Sequence, residues 1–218
     1  MITAAELCKK VRQLVNEAEN DAAVTLLSVD TRSLDEHIAA LMPDAVLLVQ
    51  RNKGWGCVNP KSYDVPTENI GVNDDGTGFF CLPDDFVSLV ALHLDGWERP
   101  CTFLYPAASA VAMAQHNVNT RAGSSKPVCV EGVSAAGERL LCYYSLPQGK
   151  APVVETFVYE ASYDPSQGLS GSDVSLHKAV AYQCAALLFG LFERGDAAAY
   201  YSHLAAAFCN NVEPEKSK

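Results

Sequence analysis

The chain has 218 residues, of which 49% are hydrophobic and 19% charged, and a formal net charge of -10. That length and apolar fraction allow one sizeable core or two small ones and exclude an intrinsically disordered chain. The charge excludes a protein that grips nucleic acid through phosphate neutralisation, since no basic stripe interrupts it: residues 1–56 carry -2, residues 57–171, with six basic and thirteen acidic side chains, carry -7, and residues 172–218 carry -1.

The first predicted element is a helix in "TAAELCKKVRQLVNEAE". Thr3 and Glu6 stand at capping-box spacing, and Leu7, Val11, Leu14, Val15 and Ala18 recur on one helical face. After the polar break at Asn20 and Asp21, "AVTLLSVD" fits either a helical turn or an extended piece. Ser33 and Glu36 then repeat the capping signal, and Leu34, Ile38, Leu41, Ala45, Leu48 and Val49 form a second apolar stripe. Pro43 lacks the backbone donor a helix interior needs, so this stripe is expected to be kinked or to be two helices in tandem.

From about Trp55 to Gly171 the texture changes to short runs rich in Val, Phe, Tyr and Thr, punctuated by Gly and Pro. Strands are expected at about 78–82, 86–94, 97–103, 127–133, 138–144 and 153–161 in a mostly antiparallel sheet. The turns fall at Asp95 and Gly96, at Ala135 to Gly137, and in "LPQGKAP"; between the third and fourth strands a short helix should lead into an irregular loop. "LPDDFVSLVALHLDGWERP" (82–100) reads as a stiff, half-buried strand pair with nothing in it that performs chemistry.

Helical texture returns in "SDVSLHKAVAYQCAALLFGLFERGD". Leu176, Ala179, Val180, Cys184, Leu187, Leu188 and Leu191 suit a central bundle helix, with Gly195 as its C-cap. Asp196 then caps a last helix with Tyr200, Leu204 and Phe208 on one side, followed by the polar tail "NNVEPEKSK". The fold class is therefore α+β: a helical bundle from residues 1–56 and 172–210, a mostly antiparallel β region inserted at 57–171, and a tail at 211–218. Leu7, Val11, Leu14 and Leu41 should share one core with Val180, Cys184, Leu187 and Leu191.

Eight cysteines lie scattered, mostly inside apolar runs, without C-x-x-C or metal-ligand spacing, and read as free thiols acting as small buried hydrophobes. With Glu6, Lys9, Lys10 and Arg12 where a signal peptide would be apolar, and no N-x-[ST] sequon, synthesis in a reducing cytoplasm is expected. The uncharged run 179–192 is too short to span a bilayer and reads as a buried helix.

The chain carries no G-x-S-x-G, H-E-x-x-H, Walker or dinucleotide motif. In "GLSGS" (168–172) Ser172 replaces the required Gly, inside a linker. The pairs Asp74, Asp75 and Asp84, Asp85 offer oxygens to a divalent cation, but turn and strand-start roles explain them better; the dispersed His37, His93, His116, His177 and His203 read as ordinary imidazoles. No catalytic residue, metal or cofactor is therefore expected. Candidate contact residues remain. Trp55 and Trp97 sit beside Gly near turns as possible interface anchors or core caps, Asp84 and Asp85 flank the central strand, and Arg121 and Lys126 in "NTRAGSSKP" suit a surface loop, an inter-subunit contact or a phosphate nest.

Taken together, the N-terminal amphipathic helix, "LDEHIAALMPDAVLLV", "LPDDFVSLVALHLDGWERP", "FVYEASY" and the Ala-rich "AVAYQCAALLFGLFERGDAAAYYSHL" resemble the head-to-tail connector or adaptor ring proteins of tailed bacteriophages, the group that includes tail tubular protein A-like gatekeepers. The likeness is one of pattern over nearly all of residues 1–210. It implies a non-enzymatic virion protein, made in the host bacterial cytoplasm and located at the neck. There it would form a homo-oligomeric ring, usually a dodecamer, between the portal protein and the next tail or neck protein. DNA would pass through without specific binding, and no membrane would be involved. An acidic chain suits such a conduit, because like charges avoid the counterion-release binding that would hold DNA in place. The competing readings are a small cytoplasmic α+β hydrolase or ligand-binding protein whose site the sequence hides, and another phage neck or tail-completion factor.

Overall fold

The computed structural model describes residues 1–20, 33–73, 75–144, 146 and 152–210. The readings of "AVTLLSVD", Asp74, most of "LPQGKAP" and the polar tail lie outside the described residues. The fold is α+β, with helices at both ends of the chain and sheets in the middle. It divides into a helical unit, Met1–Asn59 with Ser162–Lys218, and a β unit, Pro60–Ala161. The segments 57–59 and 162–171 thus belong with the helices: Ile2 and Leu169 exchange two backbone hydrogen bonds, and the Gly171 amide donates to the Val58 carbonyl.

In the helical unit, α1 (Ala4–Asn20) starts as expected. The Thr3 amide donates to Glu6 Oε2 at 2.9 Å and the Glu6 amide to Thr3 Oγ1 at 3.2 Å. The reciprocal pair recurs at α2 (Leu34–Asn52), between Ser33 and Glu36. Pro43 neither splits α2 nor ends it. It lies on the exposed side, as does Ala39, whose carbonyl the missing amide would have bonded and which water can satisfy instead. Helix α4 (Val174–Leu191) packs against α1, α2 and α5 (Gly195–Cys209), and Leu7, Val11, Val180 and Cys184 are buried in one core with Leu14, Leu41 and Leu187 at its margin.

Several details of the C-terminal pair differ from expectation. Leu191 is 53% exposed because α4 ends there. The left-handed residue after it is Glu193 (φ 58°), not glycine; the Arg194 amide donates to the Phe189 carbonyl and the Glu193 amide to that of Gly190, while Gly195 opens α5. The buried stripe of α5 is Tyr201, Ala205 and Cys209, one residue on from Tyr200, which is exposed; Leu204 and Phe208 flank it half-buried. Tyr201 stacks on Phe189 (centroids 5.3 Å) and donates its hydroxyl to the Leu14 carbonyl at 3.0 Å. Helix α4 is long and apolar enough by composition to cross a membrane, which the shorter uncharged run 179–192 that overlaps it is not, and ten of its residues are buried in the bundle.

The β unit holds two sheets rather than one. An antiparallel three-stranded sheet has the order β1 (Pro60–Ser62), β8 (Val154–Ala161), β4 (Phe86–Leu94). A five-stranded sheet has the order β2 (Gly71–Val72), β3 (Gly78–Cys81), β7 (Arg139–Tyr143), β6 (Cys129–Val133), β5 (Leu104–Tyr105), antiparallel except for the parallel β5–β6 pair. The strand expected at 97–103 does not form. The chain turns through Gly96 (φ 97°), Pro100 removes a donor, and only Cys101 pairs with Leu92 before β5 begins in the other sheet. The short helix α3 (Ala110–Gln115) covers Val128 and Val130.

Both sheets contribute to one apolar core. Phe80 of β3 meets Phe157 of β8 edge to face (5.4 Å), and Leu89, Leu92, Leu141 and Tyr143 fill the space around them. In β4 the inward residues are Phe86, Leu89, Leu92 and Leu94; bulges between Phe86 and Ser88 and between Leu89 and Ala91 each add a residue and reset the phase, so that the first three lie three apart instead of two.

Candidate functional site

The side chains singled out in the sequence do not converge on one point, and several hold the fold together. Trp97 is 5% exposed in the core of the β unit, so its ring is withheld from any partner. Its carbonyl accepts from His93 Nε2 at 3.1 Å, and the other ring nitrogen of His93 lies 2.7 Å from Glu155 Oε2. Trp55, in the loop after α2, is half-buried, and its indole nitrogen is enclosed without a hydrogen-bond acceptor among the described residues.

Asp84 and Asp85 are neighbours with different roles. Asp84 is exposed. Asp85 receives the Tyr159 hydroxyl on one oxygen and Lys61 Nζ on the other, both at 2.7 Å, which ties the start of β4 to β8 and β1. Burial alone would raise the Asp85 carboxyl, but the hydrogen bonds from Lys61 and Tyr159 outweigh it and hold the group below the ordinary carboxylate range.

Arg121 is committed in the same way. Its Nη1 pairs with Asp75 Oδ2 at 2.9 Å and its Nε donates to the Gln115 carbonyl at 3.1 Å. The buried Gln115 side chain in turn donates to the Val111 carbonyl and accepts from the Ala122 amide. Asp75 also closes its own turn by accepting from the Thr77 hydroxyl (2.7 Å) and amide (3.2 Å). The Thr77 hydroxyl, ahead of the Arg121 pairing, keeps its carboxyl low. Lys126, five residues on, is exposed and forms no ion pair among the described residues.

Around this brace the surface is concave. One open depression of about 290 Å³ is lined by Asp75, Val118, Arg121, Ser124 and Tyr144, and another of about 450 Å³ by Val72, Asn73, Asp75 and Thr77. Asp75 and Arg121 are already spent on each other, and among the described residues neither depression is lined by a histidine or cysteine. Exposed apolar side chains of the β unit, among them Phe79, Phe103, Met113, Val118 and Val133, add contact area. Among the described residues, no three His, Cys, Asp or Glu side chains are disposed to share a metal ion.

Neither the Asp75–Arg121 pair nor the Asp85 hub carries a sequence signal: their partners lie 46 residues apart in the first case and 24 and 74 in the second. No protein-family model and no curated protein matches the chain.

Proposed function

We propose that the chain is a structural virion protein, a head-to-tail connector that forms a ring between the portal and the tail of a bacteriophage and lets DNA pass through its lumen. The observation that carries the reading is the division of labour along the chain. Both ends build one helical unit with its own core, and the middle builds a β unit with another, the layout on which the resemblance rests. A connector must hold two partners and its own neighbours at once, and two separately cored units provide distinct surfaces for that.

The polar groups support the reading by what they do. Asp75, Arg121 and Asp85 stiffen loops and strand starts, which leaves Asp84, Lys126 and the exposed apolar side chains of the β unit for contact. Heterologous contacts between identical subunits close into a ring when the rotation permits, or wait for a template. The portal is that template in this reading, so a monomer in isolation is compatible with it.

The test is reconstitution. The purified chain is mixed with the portal protein of a phage whose genome encodes it, and the product is sized and imaged. A ring of this chain capping the portal is the expected result. A chain that stays free at concentrations well above those of the portal overturns the proposal. Charge reversal at Asp84, which makes no bond comparable to that of Asp85 among the described residues, then probes attachment of the next tail protein.

A further inference from the structure

We propose that the helical unit carries a binding site for a compact apolar carboxylate, in a hollow of about 190 Å³ between α1 and α4. Two matched triplets line it. Lys10, Gln13 and Leu14 come from α1 and Lys178, Ala181 and Tyr182 from α4, each set at positions i, i+3 and i+4, which share one face of a helix.

The two helices run side by side in the same direction. Ile2, ahead of α1, bridges Leu169, ahead of α4; further along, Tyr201 donates its hydroxyl to the Leu14 carbonyl and stacks on Tyr182 (6.0 Å). Lys10 in turn lies close enough to His177, the residue before Lys178, to disfavour its protonation. The two lysines therefore stand at one end of the hollow, and Leu14 and Tyr182 at the other.

This arrangement selects the occupant. Lys10 and Lys178 form no ion pair among the described residues, and Glu6 and Asp173, the carboxylates at the starts of the two helices, are held by their own caps. Lys178 instead rests its ammonium over the Phe208 ring (5.5 Å), and that ring stacks on Tyr182 (5.4 Å). A carboxylate placed here meets two ammonium groups and the Gln13 amide, while its apolar body meets Leu14 and the Tyr182 ring in the space that the short Ala181 side chain leaves open. The hollow is smaller than the roughly 300–1,000 Å³ of pockets that take drug-sized ligands, so it fits one ring or a short acyl chain with a single carboxylate. The net charge of -10 on the whole chain disfavours a polyanion in the same place.

The site lies within one unit and needs no second subunit, so its test is separate from that of the connector reading. The full chain is titrated with phenylacetate and followed through its backbone amide chemical shifts. Saturable one-to-one binding in the millimolar range or tighter is expected, with the shifts gathered on residues 10–14 and 178–182. Phenylacetamide keeps the ring and loses the charge, and acetate keeps the charge and loses the ring; each should bind at least about ten-fold more weakly. Lys10→Gln combined with Lys178→Gln should weaken phenylacetate by the same order, whereas Lys9→Gln, at an exposed position of α1 outside the hollow, should leave it unchanged. No saturable binding of phenylacetate, equal binding of either truncated probe, shifts gathered elsewhere, or full affinity in the double variant overturns the proposal. The three probes are compared on the unsubstituted chain, so a variant that fails to fold does not blunt the test.

Discussion

The Tyr159 hydroxyl donates a 2.7 Å hydrogen bond to one carboxylate oxygen of Asp85, and Lys61 occupies the other. Tyr159 is fully buried, so without Asp85 its hydroxyl would lose an acceptor out of reach of solvent. Asp85→Ala should cost about 1–2 kcal/mol of stability. Asp85→Asn keeps an acceptor for Tyr159 and loses only the half-exposed Lys61 pair, so its cost should stay below about 1 kcal/mol. Urea unfolding of both variants checks the order. Equal losses would mean that the lysine pair, not the tyrosine bond, holds the strand start.

Tyr143 presents the opposite case. Its ring is fully buried, its hydroxyl has no hydrogen-bond partner among the described residues, and burial pushes its ionisation up to about 12. Tyr143→Phe should therefore be neutral or stabilising by about 1 kcal/mol, because a desolvated and unsatisfied hydroxyl is removed without loss of volume. The same hydroxyl and the Gly71 carbonyl fill the space where a side chain at Gly78 would go. Gly78→Ala should cost about 1–3 kcal/mol. A clear loss in Tyr143→Phe would reveal an acceptor for that hydroxyl.

Glu193 sits at φ 58° in the turn between α4 and α5, a conformation that disfavours a residue with a Cβ. Glu193→Gly should raise stability by about 0.5–1 kcal/mol, and Glu193→Val should lower it. Thermal melts of the two variants should separate in opposite directions from the parent. A destabilised glycine variant would show that the glutamate side chain contributes something that offsets its backbone cost.

Stability should fall in two stages as pH drops. His177 is held neutral chiefly by burial, partly offset by the Gly171 carbonyl that its Nε2 bonds at 2.8 Å, and its ionisation lies below the ordinary value of 6.5. The unfolded chain takes up that proton first, so this contribution is present above pH 6.5 and is lost as pH falls through the folded value. Asp75 and Asp85 lie below 3.8, so theirs is present above that pH and lost only further down. Urea midpoints across the acid range measure both stages, and His177→Gln should flatten the first. A midpoint independent of pH down to the carboxylate range would contradict the role given to His177.

The helix starts were legible because capping is local: Thr3 with Glu6 and Ser33 with Glu36 lie three residues apart and bond as spaced. Helix phase was harder where alanine fills every face, and in α5 the buried stripe came out one residue from Tyr200. In the β region the strands with long apolar runs were found near their places, whereas the division into two sheets was not, since pairing is set by contacts between distant segments. Bulges in β4 erased the alternation that would have marked its inner face. The candidate residues suffered the same limit. Trp97, Asp85 and Arg121 look like surface groups in the sequence, and only their partners, Leu92 and its core neighbours, Tyr159 and Asp75, reveal their internal work.

The connector reading is tested most directly by locating this chain in the assembled phage particle by cryo-electron microscopy. The account predicts a closed ring of this chain at the neck, between portal and tail, with an open lumen on the particle axis. Finding the chain elsewhere in the particle, or in no particle at all, would contradict it.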